Sequence, residues 1–258
     1  MHRLIKLLAS NDAARLPKLV RGYDPDYDGD EDHPGMPDVD GQEATLFVYD
    51  VIGGWDGPAT QDLVRAILAL KVSTIHLRVN SPGGLVFDAA AIKTALEQNP
   101  AKVIAHVDGL AASAASTLIL AADEIEISAG GFIMIHNPET MCWGDSEEML
   151  STAAMLDNIR DSIVSQYAAR TGLDRARLQD MMGAETWLSA EQAVEMKFCD
   201  RIATKPVAPA NKSRRFDLSA FDHAPSALLA RVPSADTQAL IASRIHAEQR
   251  LRLYLPRK

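Results

Sequence analysis

Between residues 44 and 203, short β-rich runs alternate with stretches of helical periodicity, and that alternation leaves few architectures open. The pattern predicts strands over 45–50, 74–79, 102–107, 124–127 and 132–135, and helices over 58–70, 86–98, 113–122, 145–170, 175–181 and 190–196. Strands and helices in succession build a mainly parallel sheet flanked by helices, so the fold class is α/β. Punctuation supports several helices. Pro58 suits a first turn, Ser189 followed by Glu191 and Gln192 reads as an N-cap with an acid in the first turn, and Gly172 reads as a stop.

At 258 residues, 47% apolar, the chain can bury one sizeable core and holds at most about two domains. Its net charge of −9 repels phosphate backbones, and 5% aromatic residues make a poor stacking platform, so nucleic acid is excluded as the main partner. The longest apolar run, 109–122, has 14 residues where a membrane span needs roughly 20, and is expected to be a buried helix. Residues 1–14 are interrupted by Lys6 and carry no clear cleavage site, so neither a membrane anchor nor an export signal is expected. Two cysteines, Cys142 and Cys199, make neither a disulfide framework nor a zinc site, which fits a reduced, cytoplasmic compartment.

Composition divides the chain into an arm with an acidic loop (1–43), a central domain (44–203), and a linker with a basic tail (204–258). Residues 23–43 carry nine Asp or Glu and no Lys or Arg, which reads as a solvated loop. Within it Asp24, Asp26, Asp28 and Gly29 open a calcium-loop pattern, but the twelfth position is Gly35 instead of a bidentate Glu, and Pro25, Pro34 and Pro37 stand where helices should flank it. From Asn211 onward nine basic residues face four acidic ones, a local +5 beside a body of −14, with only partial helical periodicity at Leu240, Ile241, Ile245 and Leu251.

Four segments of the central domain carry chemistry. The strand at 74–79 runs into Asn80-Ser81-Pro82-Gly83-Gly84, where paired glycines let the backbone approach a ligand and turn amide hydrogens outward; the same residues also make an ordinary tight turn. The strand at 102–107 leads through Gly109-Leu110-Ala111-Ala112 to Ser113, Ala114, Ala115 and Ser116. A serine at the start of a buried helix is placed like a nucleophile beside free amides, although an Ala/Ser-rich helix interface would look the same. His136, in Met134-Ile135-His136-Asn137-Pro138, ends another strand and is the natural proton acceptor for a serine. Glu185, in Glu185-Thr186-Trp187-Leu188-Ser189, offers the carboxylate that would orient such an imidazole, with Asp180 as fallback. His76 and His106 lie in other strands and read as core or surface residues.

In this order the four segments resemble those of the proteolytic subunits of the Clp family: a strand ending in Asn-Ser-Pro-Gly-Gly, a Gly-x-Ala-Ala-Ser nucleophile segment, a Met-x-His-x-Pro segment and an acid before a Ser-x-x-Glu-Ala helix. The resemblance spans roughly 44–203 and implies an α/β fold of the crotonase type, repeated β-β-α units with a protruding handle helix for which 145–170 is the candidate. It implies a serine endopeptidase with Ser113 as nucleophile, His136 as base and then acid, Glu185 in the slot usually held by Asp, and an oxyanion hole from the backbone amides of Gly84 and Ala114. A peptide substrate would lie extended along Gly83 and Gly84, held by backbone hydrogen bonds. Such a reaction calls for no metal or organic cofactor.

The departures point further. Leu110 replaces a polar residue, the stretch from Ser113 to His136 is short, and Glu-Thr-Trp with a long tail is similar to the Clp-type head maturation proteases of tailed bacteriophages. The resemblance implies a closed homo-oligomeric ring, of seven subunits or stacked sevens, and either an ATP-dependent unfoldase or phage capsid proteins as partners. Three other readings remain open. One is a crotonase-fold acyl-CoA hydratase or isomerase, which would not use Ser113 and His136. Another is a serine-lysine peptidase, for which Lys93 and Lys102 lack a matching segment. The third is a catalytically silent capsid-assembly scaffold.

Overall fold

Alternation of apolar and polar residues along the strands decides which way each one faces. In the computed structural model, which describes residues 38–49, 51–53, 60–204, 218 and 221–229, Leu46 and Val48, Ile75, Leu77 and Val79, Val103, Ala105 and Val107, and Ile125 and Ile127 all point to one face and are buried there. Each fully buried Leu, Ile or Val side chain contributes about 1.5–3 kcal/mol over exposure, so this face dominates the energetics. The strands are β1 (Asp38–Asp40), β2 (Glu43–Tyr49), β3 (Thr74–Ser81), β4 (Lys102–Ala112), β5 (Glu124–Ile127), β6 (Phe132–Ile135), β7 (Thr186–Ser189) and β8 (Arg201–Ile202). They form one mixed sheet in the order β1-β2-β3-β4-β5-β8, with β6 paired to β4 and β7 to β6. The pairs from β2 to β5, together with β5–β8 and β4–β6, are parallel; β1–β2 and β6–β7 are antiparallel.

Helices α1 (Thr60–Ala69), α2 (Val86–Gln98) and α3 (Ala114–Leu118) follow β2, β3 and β4 and pack in series, α1 on α2 and α2 on α3. Buried Asn99, at the C-cap of α2, ties α2 to the end of α1. Its amide donates to the carbonyls of Ile67 (2.7 Å) and Leu70 (3.2 Å), and its oxygen accepts from Ala101 N (2.9 Å). The longest helix, α4 (Ser146–Thr171), starts in a capping box between Asp145 and Glu148 and stops at Gly172, whose φ of 73° is the left-handed cap expected there. Its first half is mostly exposed, with Met149, Leu150 and Met155 in solvent, while Ile163, Val164 and Tyr167 enter the core. Helices α5 (Arg175–Gly183) and α6 (Ala190–Glu195) complete this compact unit, which runs to His223. The residues from Ala224 belong to a second unit, of which a short helix, Ser226–Leu229, is described.

Of the expected elements, the strand at 124–127, the strand at 132–135 and the helix at 86–98 have the predicted bounds. Ser189 caps α6 with Gln192 reaching back, as its spacing implied. The segment 109–122 is different. It is not one helix: β4 continues to Ala112, and only then come α3 and a 3-10 turn, Ile119–Ala121. The cause is tertiary, because Leu110, Ala111 and Ala112 pair in parallel with Phe132, Ile133 and Met134, and strand pairing overrides the helical preference of alanine. Pro58, the acidic segment 23–37 with its calcium-loop pattern, and most of the basic tail lie outside the described residues.

The other sheet face is polar. Arg78 grips Asp108 through two nitrogens, Tyr49 donates to the same carboxylate (2.6 Å), and His76 and His106 share a hydrogen bond (2.9 Å), with His106 also bonded to Glu126 (2.6 Å). Burial lowers the His106 pKa below its usual value despite Glu126, and burial followed by the Asp108 hydrogen bond raises that of Tyr49. Among the described residues no helix is long and apolar enough to cross a membrane.

Candidate active site

β4 pairs with β5 through Ile104–Val107 and then with β6 through Leu110–Ala112, so its carboxyl end is where the sheet changes partners. Ser113 follows β4 directly, with φ 54° and ψ −124°, a conformation that non-glycine residues adopt at a cost of about 1–3 kcal/mol. The hydrogen bond from Ser113 N to Met134 O (2.9 Å) holds it, as does the Ser113 carbonyl, which accepts from Ser116 N (3.0 Å) and Ser116 Oγ (2.5 Å). Buried Ser116 in turn bonds the hydroxyl of buried Tyr167 (2.7 Å) on α4.

His136 follows β6, and the parallel β4–β6 register sets it beside Ser113. Its Nε2 lies 2.7 Å from Ser113 Oγ, within reach for proton transfer. Glu185 precedes β7. The antiparallel ladder ends on Ile135 and Thr186, so one further step puts residues 136 and 185 opposite each other. Glu185 is 3% exposed and in the left-handed region (φ 50°) after α5. Its carboxylate accepts from Trp187 Nε1 (3.2 Å) and from the backbone N–H groups of Asp222 (3.0 Å) and His223 (2.7 Å). Asp180 is exposed on α5. A second carboxylate that sequence reasoning did not single out, Glu139, has Oε1 3.9 Å from His136 Nδ1 and is itself half exposed.

The Gly83-Gly84 turn packs directly against the serine. A Cβ on Gly83 would stand 2.6 Å from Ser113 Cβ, 2.7 Å from Ala112 O and 3.0 Å from Ala114 N. Gly84 bridges in parallel to Ile52: Gly83 O accepts from Ile52 N (2.7 Å) and Leu85 N donates to Ile52 O (2.7 Å), so the N–H of Gly84 itself points away from that strand. Ala114 N opens α3, where no intrahelical acceptor exists for it. Ser113, His136, Gly83 and Ala114 thus converge, and Glu185 flanks them. Lys93 and Lys102 do not join them; they pair with Glu97 and Glu124. Among the described residues, no group of three or more His, Cys, Asp or Glu is disposed to hold a metal.

Comparison with known families matches residues 43–206 to the family described as Clp protease. The chain belongs to the Clp protease family. Over 168 residues it is 31% identical to the ATP-dependent Clp protease proteolytic subunit of Chlorella vulgaris, covering 63% of this chain and 82% of that protein. It is 27% identical over 165 residues to proteolytic subunit 1 of Protochlamydia amoebophila, covering 61% and 79% of the two chains. The subunit of Adiantum capillus-veneris is 33% identical over 142 residues, covering 54% of this chain and 70% of its own. The family is one of peptidases, and all four candidate segments of this Clp-family chain fall inside the match.

Proposed function

We propose that the chain is a serine endopeptidase in which Ser113 attacks the peptide carbonyl, His136 relays the proton and Glu185 orients the imidazole. The observation that carries this reading is the 2.7 Å approach of His136 Nε2 to Ser113 Oγ at the Gly83 turn. As Oγ bonds to the carbonyl carbon, its proton passes to Nε2 and the carbonyl oxygen becomes an anion beside the amides of Gly84 and Ala114. The protonated imidazole then gives that proton to the departing amine. Water, deprotonated by the same imidazole, splits the acyl ester and regenerates the serine. The peptide lies extended along Gly83 and Gly84, and backbone pairing makes selection by side chain weak.

The fold reading extends to the crotonase-type repeat, with α4 as the handle. Its exposed Met149, Leu150 and Met155 suit subunit packing in a homo-oligomeric ring, for which we take seven as the number. Glu185 in the acid slot, the short Ser113–His136 interval and Glu-Thr-Trp favour head maturation in a tailed bacteriophage, with capsid proteins as substrates. The alternative partner, an ATP-driven unfoldase, is suggested by relatives named as ATP-dependent. Peptide hydrolysis and covalent labelling by a fluorophosphonate test the reaction. Ser113→Ala is expected to lower turnover by about four orders of magnitude or more and to abolish labelling. Hydrolysis or labelling that survives this change overturns the assignment, and a wild-type chain inert in both leaves a scaffold. Light scattering that finds only monomer rejects the ring, and co-expression with a major capsid protein that stays uncut rejects the maturation role.

A further inference from the structure

The family match ends at residue 206, yet the candidate site is finished by residues beyond it. Leu218 is buried, and its carbonyl accepts from Phe221 N (3.1 Å). The Phe221 ring then stands edge-to-face against two others: His136, with centroids 5.9 Å apart and planes at 75°, and Trp187, at 5.6 Å and 82°. The next two residues turn their amides onto Glu185, Asp222 N to Oε2 and His223 N to Oε1, while Trp187 Nε1 shares Oε1. One turn of chain therefore touches both the imidazole and the acid.

We infer that the segment formed by Leu218 and Phe221 to His223 is a positioning strap for the catalytic pair, built into this chain outside the family domain. The inference rests on the peptidase reading above. Two consecutive amides, one on each carboxylate oxygen, fix the plane of Glu185, and an aromatic edge against an imidazole restricts its tilt. Glu is one methylene longer than Asp and has one more rotatable bond, so a buried Glu in this position needs such restraint to present one orientation.

The alternative role for a returning segment is a plug that blocks substrate. The contacts favour a strap: they fall on Glu185, His136 and Trp187. The Ser113–His136 hydrogen bond is also formed with the segment in place.

The test uses the full-length chain, a fluorogenic peptide and the fluorophosphonate rate. Phe221→Ala is expected to lower kcat at least tenfold with KM within about twofold, since orientation and not substrate binding is lost. Phe221→Tyr, which keeps the ring edge, is expected to recover most of the rate. His223→Pro removes one amide donor and is expected to fall at least tenfold below His223→Ala, which keeps it; this pair decides the matter if Phe221→Ala does not fold. Unchanged or raised kcat in Phe221→Ala and in His223→Pro overturns the strap and leaves the peptidase reading standing. Parallel loss of kcat and gain in KM in both also overturns it, by marking the segment as part of the substrate site. A wild-type chain that neither cleaves peptide nor reacts with the probe removes the peptidase reading and the strap with it.

Discussion

Gly83→Ala puts one methyl group where the structure has no room for it. The new carbon would lie 2.6 Å from Ser113 Cβ and 2.7 Å from Ala112 O, whereas non-bonded carbons rest at about 3.5–4.0 Å, so a gap of roughly 1 Å must open. Neither neighbour is the yielding tip of a long side chain; both belong to the end of β4 that carries the serine. The backbone at residue 83 has φ 97°, which adds about 1–2 kcal/mol for any residue with a Cβ. Overpacking adds about 1–3 kcal/mol, giving a stability loss of about 2–5 kcal/mol. Moving a reacting group by 1 Å costs about 10²-fold in rate, and a displaced oxyanion donor costs about 10²–10³-fold. Steady-state cleavage of a fluorogenic peptide, run with a urea titration on the same preparation, is therefore expected to show kcat down at least 100-fold in molecules that are still folded. A folded Gly83→Ala with kcat within threefold of wild type would refute the reasoning, because it would mean that the turn does not abut the reacting serine.

Two further predictions concern the scaffold. The depressed His106 pKa, caused first by burial, means that the unfolded chain takes up a proton that the folded chain refuses, so stability is full above about pH 6.5 and falls as pH drops from there through the lower folded value. The groups around it are His76, Glu126 and Arg78. Urea midpoints at pH 7.5 and 5.5 are expected to differ less in His106→Gln than in wild type, and an equal or larger difference would contradict this. Asn99→Ala leaves the carbonyls of Ile67 and Leu70 and the N–H of Ala101 without their side-chain partner; a loss of about 2–3 kcal/mol by chemical denaturation is expected, and a loss under 0.5 would show that water or a shift replaces the tie.

The parts legible in the sequence were those that local chemistry decides. Alternating residues in Glu124–Ile127 and the apolar run of Phe132–Ile135 sufficed for those strands, and Ser189 with Gln192 for the start of α6. What escaped depends on partners remote in the chain. Nothing in Leu110-Ala111-Ala112 announces a strand; its extended form comes from pairing with β6. β7, Thr186-Trp187-Leu188-Ser189, does not alternate apolar with polar residues, and its antiparallel return on β6 is what sets Glu185 opposite His136. The positive φ of Ser113 has no signature in a serine, and Glu139 gave no sign until Nδ1 of His136 was located. Phe221 sits past a Pro/Ala/Lys stretch that reads as linker, and only its rings of contact reveal its place.

β4 spends its first half as a core strand and its second half delivering Ser113 to His136. Because side chains alternate along a strand, a slip of one residue in its pairing would turn the hydroxyl to the wrong side of the sheet. On the proposed mechanism, a chain caught in a misregistered or half-assembled state carries no armed nucleophile, so that hydrolysis would arrive only with correct folding, a safeguard for any cell in which the chain is made.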